Sequence, residues 1–336
     1  MSTAMLTSAA GIAAQDAGTA EAAAAKKPEK RLGIGAPAPA LSIGEWVKGD
    51  PVDGFESDHV YVVEFWATWC GPCIAGMPHL TDLQAEYGDK VTILGVNIWD
   101  DPEKVQPFME NPVAMHDKPG DEVMGYTVAI EEKHDEGNVR NGKMAAAWMD
   151  AAGRSGIPTA FIVDQQQRIA WIGHPMSMDK PLAKVVAGEW DIQQAAADHA
   201  AQLAAAAEIS RYFELFEASK FDAAYQLGHK LVAGPMANSA GRLNTVAWMI
   251  VDPDATPAKQ DLKLALAAAK RASELTDDED PAILDTLAKV HFDMGNTAEA
   301  VKTQSLAAKF APGTQFEKEV AERLAEYKKA AEKADQ

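Results

Sequence analysis

The residues of this 336-residue chain best suited to chemistry are its two cysteines, in the segment Cys70-Gly71-Pro72-Cys73. An apolar run precedes them and a helical pattern follows. A thiol at a helix N-terminus lies at the positive end of the helix dipole beside unpaired N–H groups, which lower its pKa. We therefore expect Cys70 to be the exposed nucleophile. Cys73, one turn further along, is expected to attack the mixed disulfide formed on Cys70.

Other uses of the cysteine pair are poorly supported. A structural zinc site needs two more Cys or His ligands at suitable spacing, and no second pair is present. A purely structural disulfide across three residues would close almost no loop and add little stability. One local, reversible disulfide is the prediction.

The surrounding pattern predicts an α/β unit. The run Tyr61–Trp66 and the run Val91–Ile98 read as buried strands, and Cys73–Tyr87 has helical spacing. Such a β-α-β unit normally has parallel strands. The segment His116–Gly142 is dense in charge and glycine, so we expect a surface excursion around one short strand. The remaining predicted elements are helices at 101–109, 143–152 and 182–190 and strands at 126–130, 159–163 and 168–172, the last two forming a hairpin.

Trp69-Cys70-Gly71-Pro72-Cys73 resembles the active site of the thioredoxin superfamily letter for letter. Pro78 falls where that family has a helix-kinking proline, and Gly156-Ile157-Pro158-Thr159 is similar to its cis-proline loop. The resemblance covers about residues 36–191. The 85 positions from Cys73 to Pro158 favour the exported TlpA- and ResA-like branch, which carries an insertion there. The resemblance implies a central sheet flanked by helices and a thiol–disulfide oxidoreductase activity.

Glu64 lies six positions before Cys70, where the family has a buried acid. A carboxyl group in an apolar strand has a raised pKa, so it can exchange a proton with Cys73 near neutral pH. The alternative is that Glu64 points outward from an edge strand.

The resemblance also predicts a substrate-binding surface. A cis bond before Pro158 would leave the Ile157 backbone free to pair with an extended substrate segment. Trp69 either contacts the partner or packs. The other residues assigned to this surface are Gly71, Pro72 and Thr159.

We predict no cofactor and no metal. His79, His174 and the thirteen methionines could suggest copper handling, as in copper-delivery relatives of this fold. Their spacing matches no pattern of that kind, and scattered methionines usually fill cores. Peroxide reduction is the other enzymatic activity considered. A peroxiredoxin needs a Pro and a Thr ahead of its cysteine, and this chain has Val63 and Ala67 at those positions, which argues against that activity.

Charge and hydropathy limit the classes of partner that this protein can bind. A net charge of −19 argues against nucleic acid, and no stretch approaches the length of a membrane-spanning helix. The first 35 residues are expected to be a leader. A mildly apolar run, Ala4–Ala14, suggests export to the periplasm, although no basic n-region precedes it. A disordered tail on a cytoplasmic protein is the alternative.

After about Asp191 the strand signals stop and alanine-rich helical periodicity continues to the end. We therefore predict a thioredoxin-like domain at 36–193 and an all-α domain at 194–336. Three pairs of small or apolar residues, each pair seven positions apart, follow one another at intervals of 41 and then 35 residues. These intervals are close to the length of a helix–turn–helix repeat. The last repeat resembles a tetratricopeptide unit, and an unrelated helical bundle is the alternative. The pairs are Ala224 with Leu231, Ala265 with Ala272, and Ala300 with Ala307.

The function predicted from the sequence is reduction of disulfides in partner proteins, with an unidentified electron donor. A further protein partner is expected on the helical repeats. The alternative is a non-catalytic scaffold protein acting through those repeats, with a vestigial redox site.

Overall fold

The computed structural model describes residues 32–134, 138, 140 and 142–334. Contacts within the chain divide it into two compact units, Met1–Ala195 and Ala196–Gln336. The first unit contains every strand found among the described residues, and the second is helical. This confirms the predicted fold class, an α/β unit followed by an all-α region. The apolar run Ala4–Ala14 of the expected leader lies outside the described residues.

The first unit is built on one mixed sheet of six strands, in the order β1-β4-β3-β2-β5-β6. Strand β2 lies inside the sheet, parallel to β3 on one side and antiparallel to β5 on the other. The predicted parallel β-α-β unit and the β5–β6 hairpin are both confirmed. The strands are β1 (Ile43–Lys48), β2 (Val60–Trp66), β3 (Val91–Asn97), β4 (Thr127–Glu131), β5 (Thr159–Val163) and β6 (Ile169–Gly173).

Each face of the sheet is covered by its own apolar layer. Alternate residues of β2 point to opposite faces. Val62 and Trp66 join the layer that contains Cys70 and Cys73. Val63 belongs to the opposite layer. Since both faces are covered, β2 is buried along its whole length.

Helix α1 (Gly71–Tyr87) begins directly after the β2 strand and its short connecting turn. Pro78 lies inside the helix and has no N–H to donate to the carbonyl of Ile74. His116 replaces that missing donor, because its Nε2 lies 2.7 Å from the Ile74 oxygen. A carbonyl oxygen only accepts, so this ring nitrogen carries the proton.

Several predicted elements differ from the structure. Strand β1 was not predicted, because it is a short, half-exposed edge strand with irregular register. The predicted helix 101–109 is a 3₁₀ turn, Pro102–Lys104, followed by α2 (Val105–Glu110). The predicted helix 143–152 is mainly a π-helical turn, Ala145–Asp150, in which the Ala151 N–H donates five residues back to Ala146.

The closing helix of the first unit begins earlier than predicted. Helix α4 spans Asp179–Val186, with Pro181 in its first turn. Proline is tolerated there because the first N–H groups of a helix have no intrahelical partner. Trp190 lies beyond the helix and donates its indole N–H to the carbonyl of Ala170.

The strand predicted at 126–130 is confirmed as β4, but the expected surface excursion around it, at 116–142, is wrong over its middle part. A short helix α3 (Gly120–Val123) leads into β4, which pairs with β3 and β1 on its two sides. Residues 32–35, assigned to the leader from the sequence, also belong to this unit. The backbone N–H of Leu32 bonds to Ala151 and that of Gly35 bonds to Ile169.

The second unit consists of successive helices. All six residues of the three recurring pairs have 0% exposure, as expected for positions at the contacts between helices. Asp280 caps its helix as predicted, accepting from the N–H groups of Ala282 and Ile283. The helices are α5 (Ile192–Glu217, which begins in the first unit), α6 (Phe221–Ala233), α7 (Ala240–Val251), α8 (Leu262–Glu274), α9 (Pro281–Asp293), α10 (Thr297–Phe310) and α11 (Glu317–Ala334).

We predict that His116→Leu lowers the free energy of unfolding by about 1–3 kcal/mol, because the Ile74 carbonyl loses its donor. Urea denaturation of the oxidised protein measures this. His116→Gln keeps an N–H donor and should lose less, and His134→Leu, at an exposed position, serves as the control. Equal stability of the Leu and Gln variants would show that the hydrogen bond does not contribute.

Candidate active site

The two cysteines form a disulfide at the junction of β2 and α1, with a Cα–Cα distance of 5.2 Å. Cys70 is the N-cap of the helix and has an extended backbone conformation. Its Sγ accepts the backbone N–H of Cys73 at 3.2 Å. The sulfur of Cys70 therefore occupies the position at which a helix N-terminus stabilises negative charge.

The prediction that Cys70 is exposed is wrong for the disulfide form. Cys70 and Cys73 are each only 3% exposed, and both belong to the apolar layer beneath the sheet. Because the bond between them holds both sulfurs against this layer, exposure does not distinguish the two cysteines. Their positions relative to the helix terminus do distinguish them.

The segment between β2 and Cys70 is held by the loop that follows β3. The N–H of Thr68 donates to Asp100 Oδ2 at 2.6 Å, and the indole N–H of Trp69 donates to the carbonyl of Trp99 at 3.2 Å. Trp69, which directly precedes Cys70, is nevertheless 56% exposed, so much of its side chain faces solvent. The sequence interpretation missed Asp100, although an acid at the end of a parallel strand beside the predicted active-site edge was a usable signal.

Glu64 lies on an interior strand, so the alternative of an outward-facing edge position is wrong. Its neighbours across the sheet are Gly95 and Ala160. It shares the sheet face of Val62 and Trp66, the face that helix α1 covers. Burial leaves Glu64 only 2% exposed and raises the pKa of its carboxyl group to about 8.

The small residue beside Glu64 makes room for aromatic neighbours. A Cβ at Gly95 would lie 2.9 Å from the Tyr126 ring and 3.4 Å from Trp66 Nε1. The Tyr126 hydroxyl and the Trp66 indole N–H are buried and have no hydrogen-bond partner among the described residues. Burial, and then the charge of Glu64, raise the pKa of Tyr126 well above its ordinary value. The carboxyl group thus lies in a closed, weakly polar site.

The predicted cis-proline loop lies at the same end of the sheet as the disulfide. The Ile157–Pro158 bond is cis. Thr159 is paired with Phe65, so the loop is level with the end of β2, and the Thr159 hydroxyl donates to the Gly156 carbonyl. Ile157 packs on the layer that contains the cysteines. Of the other predicted contact residues, Pro72 is exposed and Gly71 is half-buried.

The histidines considered for copper have structural partners. His79 Nε2 lies 2.9 Å from Asp179 Oδ1, and His174 Nδ1 accepts the N–H of Met176. Within the part of the chain that the structure describes, no three His, Cys, Asp or Glu side chains are grouped to hold a metal ion. Among the same residues, no helix is both long and apolar enough to cross a membrane.

Comparison with known proteins agrees with this geometry. The Redoxin family model matches residues 35–185. Protein FixW of Rhizobium leguminosarum is 28% identical over 165 residues, which cover 47% of this chain and 68% of FixW. A thioredoxin of Staphylococcus saprophyticus is 38% identical over 85 residues, covering 22% of this chain and 82% of that protein. The chain belongs to the thioredoxin superfamily.

The first unit is thus a TlpA- and ResA-like redoxin domain of the thiol–disulfide oxidoreductase family. The thiol:disulfide interchange protein HelX of Rhodobacter capsulatus is 31% identical over 136 residues, covering 39% of this chain and 64% of HelX. Some curated thioredoxins are matched over only about half of their own length. The family is therefore established, and substrates and partners are matters for proposal.

The burial of Glu64 predicts a pH-dependent stability. The folded protein, with a carboxyl pKa of about 8, retains this proton between pH 4.5 and 8, whereas an ordinary unfolded carboxyl with a pKa of 4.5 has lost it. Stability should therefore fall as pH rises through this range, by about 1.4 kcal/mol for each unit of pKa difference. Glu64→Gln cannot ionise and should lack this fall.

Urea denaturation of the oxidised wild type and of Glu64→Gln near pH 5, 7 and 9 measures the difference. Glu132→Gln, which changes an exposed carboxylate on the same unit, is the control and should follow the wild type. Parallel wild-type and Glu64→Gln curves would contradict the raised pKa.

Proposed function

We propose that this chain reduces disulfides in partner proteins, with Cys70 as the attacking thiolate and Cys73 as the resolving thiol. The observation that carries this assignment is the Cys73 N–H donated to Cys70 Sγ at the start of α1. A donor at that position stabilises a thiolate on Cys70, while Cys73 lies inside the first turn. Cys73 lies in the buried apolar layer, where a thiol without a stabilising donor stays neutral until a base removes its proton.

The reaction proceeds in two exchange steps. The Cys70 thiolate attacks one sulfur of the substrate disulfide, so that a mixed disulfide forms and the other substrate sulfur leaves as a thiolate. Cys73 then loses its proton and attacks Cys70 Sγ, which forms the Cys70–Cys73 disulfide and releases the second substrate thiolate. Two electrons pass to the substrate, and an external dithiol must supply two electrons to restore the enzyme.

Glu64 is proposed to accept the Cys73 proton. Its pKa of about 8 and its place on the α1 face of the sheet support this role. A base whose pKa lies near the working pH transfers protons most effectively. The Tyr126 hydroxyl and the Trp66 indole N–H offer donors near the resulting carboxylate.

The substrate segment is proposed to bind between Trp69 and the cis-proline loop. Trp69 offers an exposed aromatic face beside Cys70. Ile157 precedes the cis bond, and its backbone would pair with an extended segment of the substrate. Gly71, Pro72 and Thr159 complete the predicted surface. The Gly-Pro pair between the cysteines, similar to that of reducing family members, supports the proposed direction of electron flow.

We also propose that the protein is exported, since the apolar stretch near its start and the likeness to TlpA- and ResA-like proteins both favour a compartment outside the cytoplasm. The electron donor would then be another dithiol protein of that compartment.

A non-catalytic scaffold role is the competing proposal. A vestigial redox site would have no need for a buried acid, a kinked active-site helix and a cis-proline loop around the same disulfide. The presence of all three, at Glu64, Pro78 and Pro158, supports catalysis.

Single cysteine variants test the proposed roles. Cys70→Ser should abolish insulin reduction with dithiothreitol, because the attacking sulfur is missing. Cys73→Ser should accumulate a mixed disulfide through Cys70, detectable by mass spectrometry. If Cys70→Ser is the variant that forms the mixed disulfide, the roles are reversed. A wild type that does not reduce insulin would contradict the function.

The helical unit is proposed to bind a partner protein, which the covalent link between the two units tethers to the redox domain. Its surface has a cleft of about 750 Å³, whose lining residues include Tyr225, His229, Lys259 and Asp261. A tethered second binding surface raises the effective concentration of a bound substrate. The cleft is therefore a candidate binding surface for a protein segment with polar and charged side chains.

We predict that removal of residues 196–336 leaves insulin reduction within about twofold of the full chain, because the redox site lies wholly in the first unit. The Cys73→Ser form of the shortened chain should capture less of the cellular partner than the full-length form does. Circular dichroism of the shortened chain is the control. Equal capture by both forms would contradict the partner role, and failure to fold would show the helices to be structural support.

A further inference from the structure

A hydrogen bond connects the active-site segment to a buried acid in the loop after β3. Asp100 is 2% exposed, and its carboxylate accepts three N–H groups. They come from the Thr68 backbone at 2.6 Å, the Asp101 backbone at 2.9 Å and the Asn97 side chain at 3.3 Å. Thr68 is two residues before Cys70, so this carboxylate lies directly behind the turn that presents the sulfur.

The residue before Asp100 has an unusual backbone. Trp99 has φ +56°, a left-handed conformation that is costly for a bulky side chain and persists only where neighbouring groups enforce it. Both of its backbone polar groups are used. Its carbonyl accepts the Trp69 indole N–H, and its N–H donates to Glu131 Oε1 at 3.4 Å.

Glu131 provides the fixed end of this chain of contacts. Its side chain is fully buried at the end of β4. Its carboxylate also accepts the Ala145 N–H at 2.9 Å and pairs with Lys133 Nζ at 2.8 Å. A Cβ at Gly142 would lie 1.8 Å from this carboxyl group, so a side chain there would displace the carboxylate. Asp100 and Glu131, which follow β3 and end β4 and lie outside the cysteine motif, are thus both connected to the active-site turn by hydrogen bonds.

We propose that Asp100 and Glu131 are positioning residues for the redox centre, and that the charge of Asp100 makes the Cys70–Cys73 couple more reducing. This proposal rests on the proposed function of the cysteines.

The physical argument has two parts. First, the hydrogen bonds hold Thr68 and Trp69, and therefore Cys70 Sγ, in one orientation at the helix terminus, which an attacking group needs. Second, a negative charge behind the turn repels the negative charge of a Cys70 thiolate. Because the thiolate exists only in the reduced form, this repulsion disfavours reduction of the disulfide and lowers the potential of the couple.

Asp100→Asn tests the charge with little change in shape. The full-length protein is equilibrated with mixtures of reduced and oxidised glutathione. In this reaction the protein dithiol gives two electrons and two protons to oxidised glutathione, forming the protein disulfide and two glutathione molecules. We expect the equilibrium to shift three- to tenfold toward the reduced protein, up to about 30 mV in potential.

Asp101→Asn is the matched control, since it removes the same charge one residue away. The Asp101 side chain faces the Glu103 N–H rather than the turn, so the equilibrium should stay within about twofold. An Asp100→Asn equilibrium equal to that of the wild type would overturn the charge effect, as would an equal shift in both variants.

Rates test the positioning. Reduced protein is mixed with oxidised glutathione, and the rate constant for loss of its thiols is measured. Asp100→Asn and Glu131→Gln should each slow the reaction severalfold, and the double variant should be slowed less than the product of the two effects, because both act on one turn. Multiplicative effects would overturn the shared role. This assay uses no protein substrate, so its outcome is independent of whether insulin is reduced.

Asn97→Leu keeps the Asp100 charge and removes one of its donors, so it tests the proposal if Asp100→Asn does not fold. It should slow the reaction with oxidised glutathione without shifting the equilibrium toward the reduced protein. An unchanged rate, or a shift toward the reduced protein, would overturn the proposal.

Discussion

The site depends on one contact, the backbone N–H of Cys73 donated to the sulfur of Cys70. This contact places a sulfur where a helix would otherwise have a capping oxygen. It requires that α1 begin immediately after β2, with Cys70 in an extended conformation at the boundary. The neighbouring elements serve this junction. Parallel β3 ends beside it and supplies a loop, and antiparallel β5 begins beside it and supplies the cis-proline turn.

Buried acids near this junction are stabilised in different ways. Glu64 lies among apolar and aromatic groups, so burial raises its pKa into the range where it exchanges a proton. Asp100 and Glu131 are surrounded by N–H donors, which compensate the loss of water around a carboxylate. The same side-chain chemistry therefore suits the proposed proton transfer in one environment and the proposed support of the active-site turn in the other.

In the second unit, the structure depends on packing between helices. Its helices carry alanine at many of their contacts, beside larger apolar side chains such as Tyr212, Leu243 and Ile250. Stacked helix pairs depend on their neighbours to cover these surfaces. Buried polar groups also lie between the helices, where the Gln304 amide donates to Asp285 Oδ1 at 2.7 Å. The surface of the unit has a cleft of about 750 Å³.

The linear sequence was sufficient for features that depend on neighbours along the chain. These include the strand–turn–helix around Cys70, the kink at Pro78, the hairpin at the end of the α/β unit and the Asp280 cap. Local sequence patterns did not predict elements whose structure depends on residues far away in the chain. Strand β1 exists because β4 offers an edge, and the 143–152 segment forms a π-helical turn whose first N–H is held by Glu131.

Asp100 and Glu131 show most clearly that local sequence patterns do not predict contacts between distant segments. Glu131 lies next to the predicted strand in a segment so rich in charge that the sequence predicted a surface excursion, yet the fold buries its side chain. Its partners Trp99 and Ala145 are 32 and 14 positions away, so no local pattern could connect them. The sequence by itself determined which sulfur chemistry is available and where the helix carrying it begins. Only the tertiary structure decided which carboxyl groups support it, because burial and hydrogen bonding depend on segments that meet across the sheet.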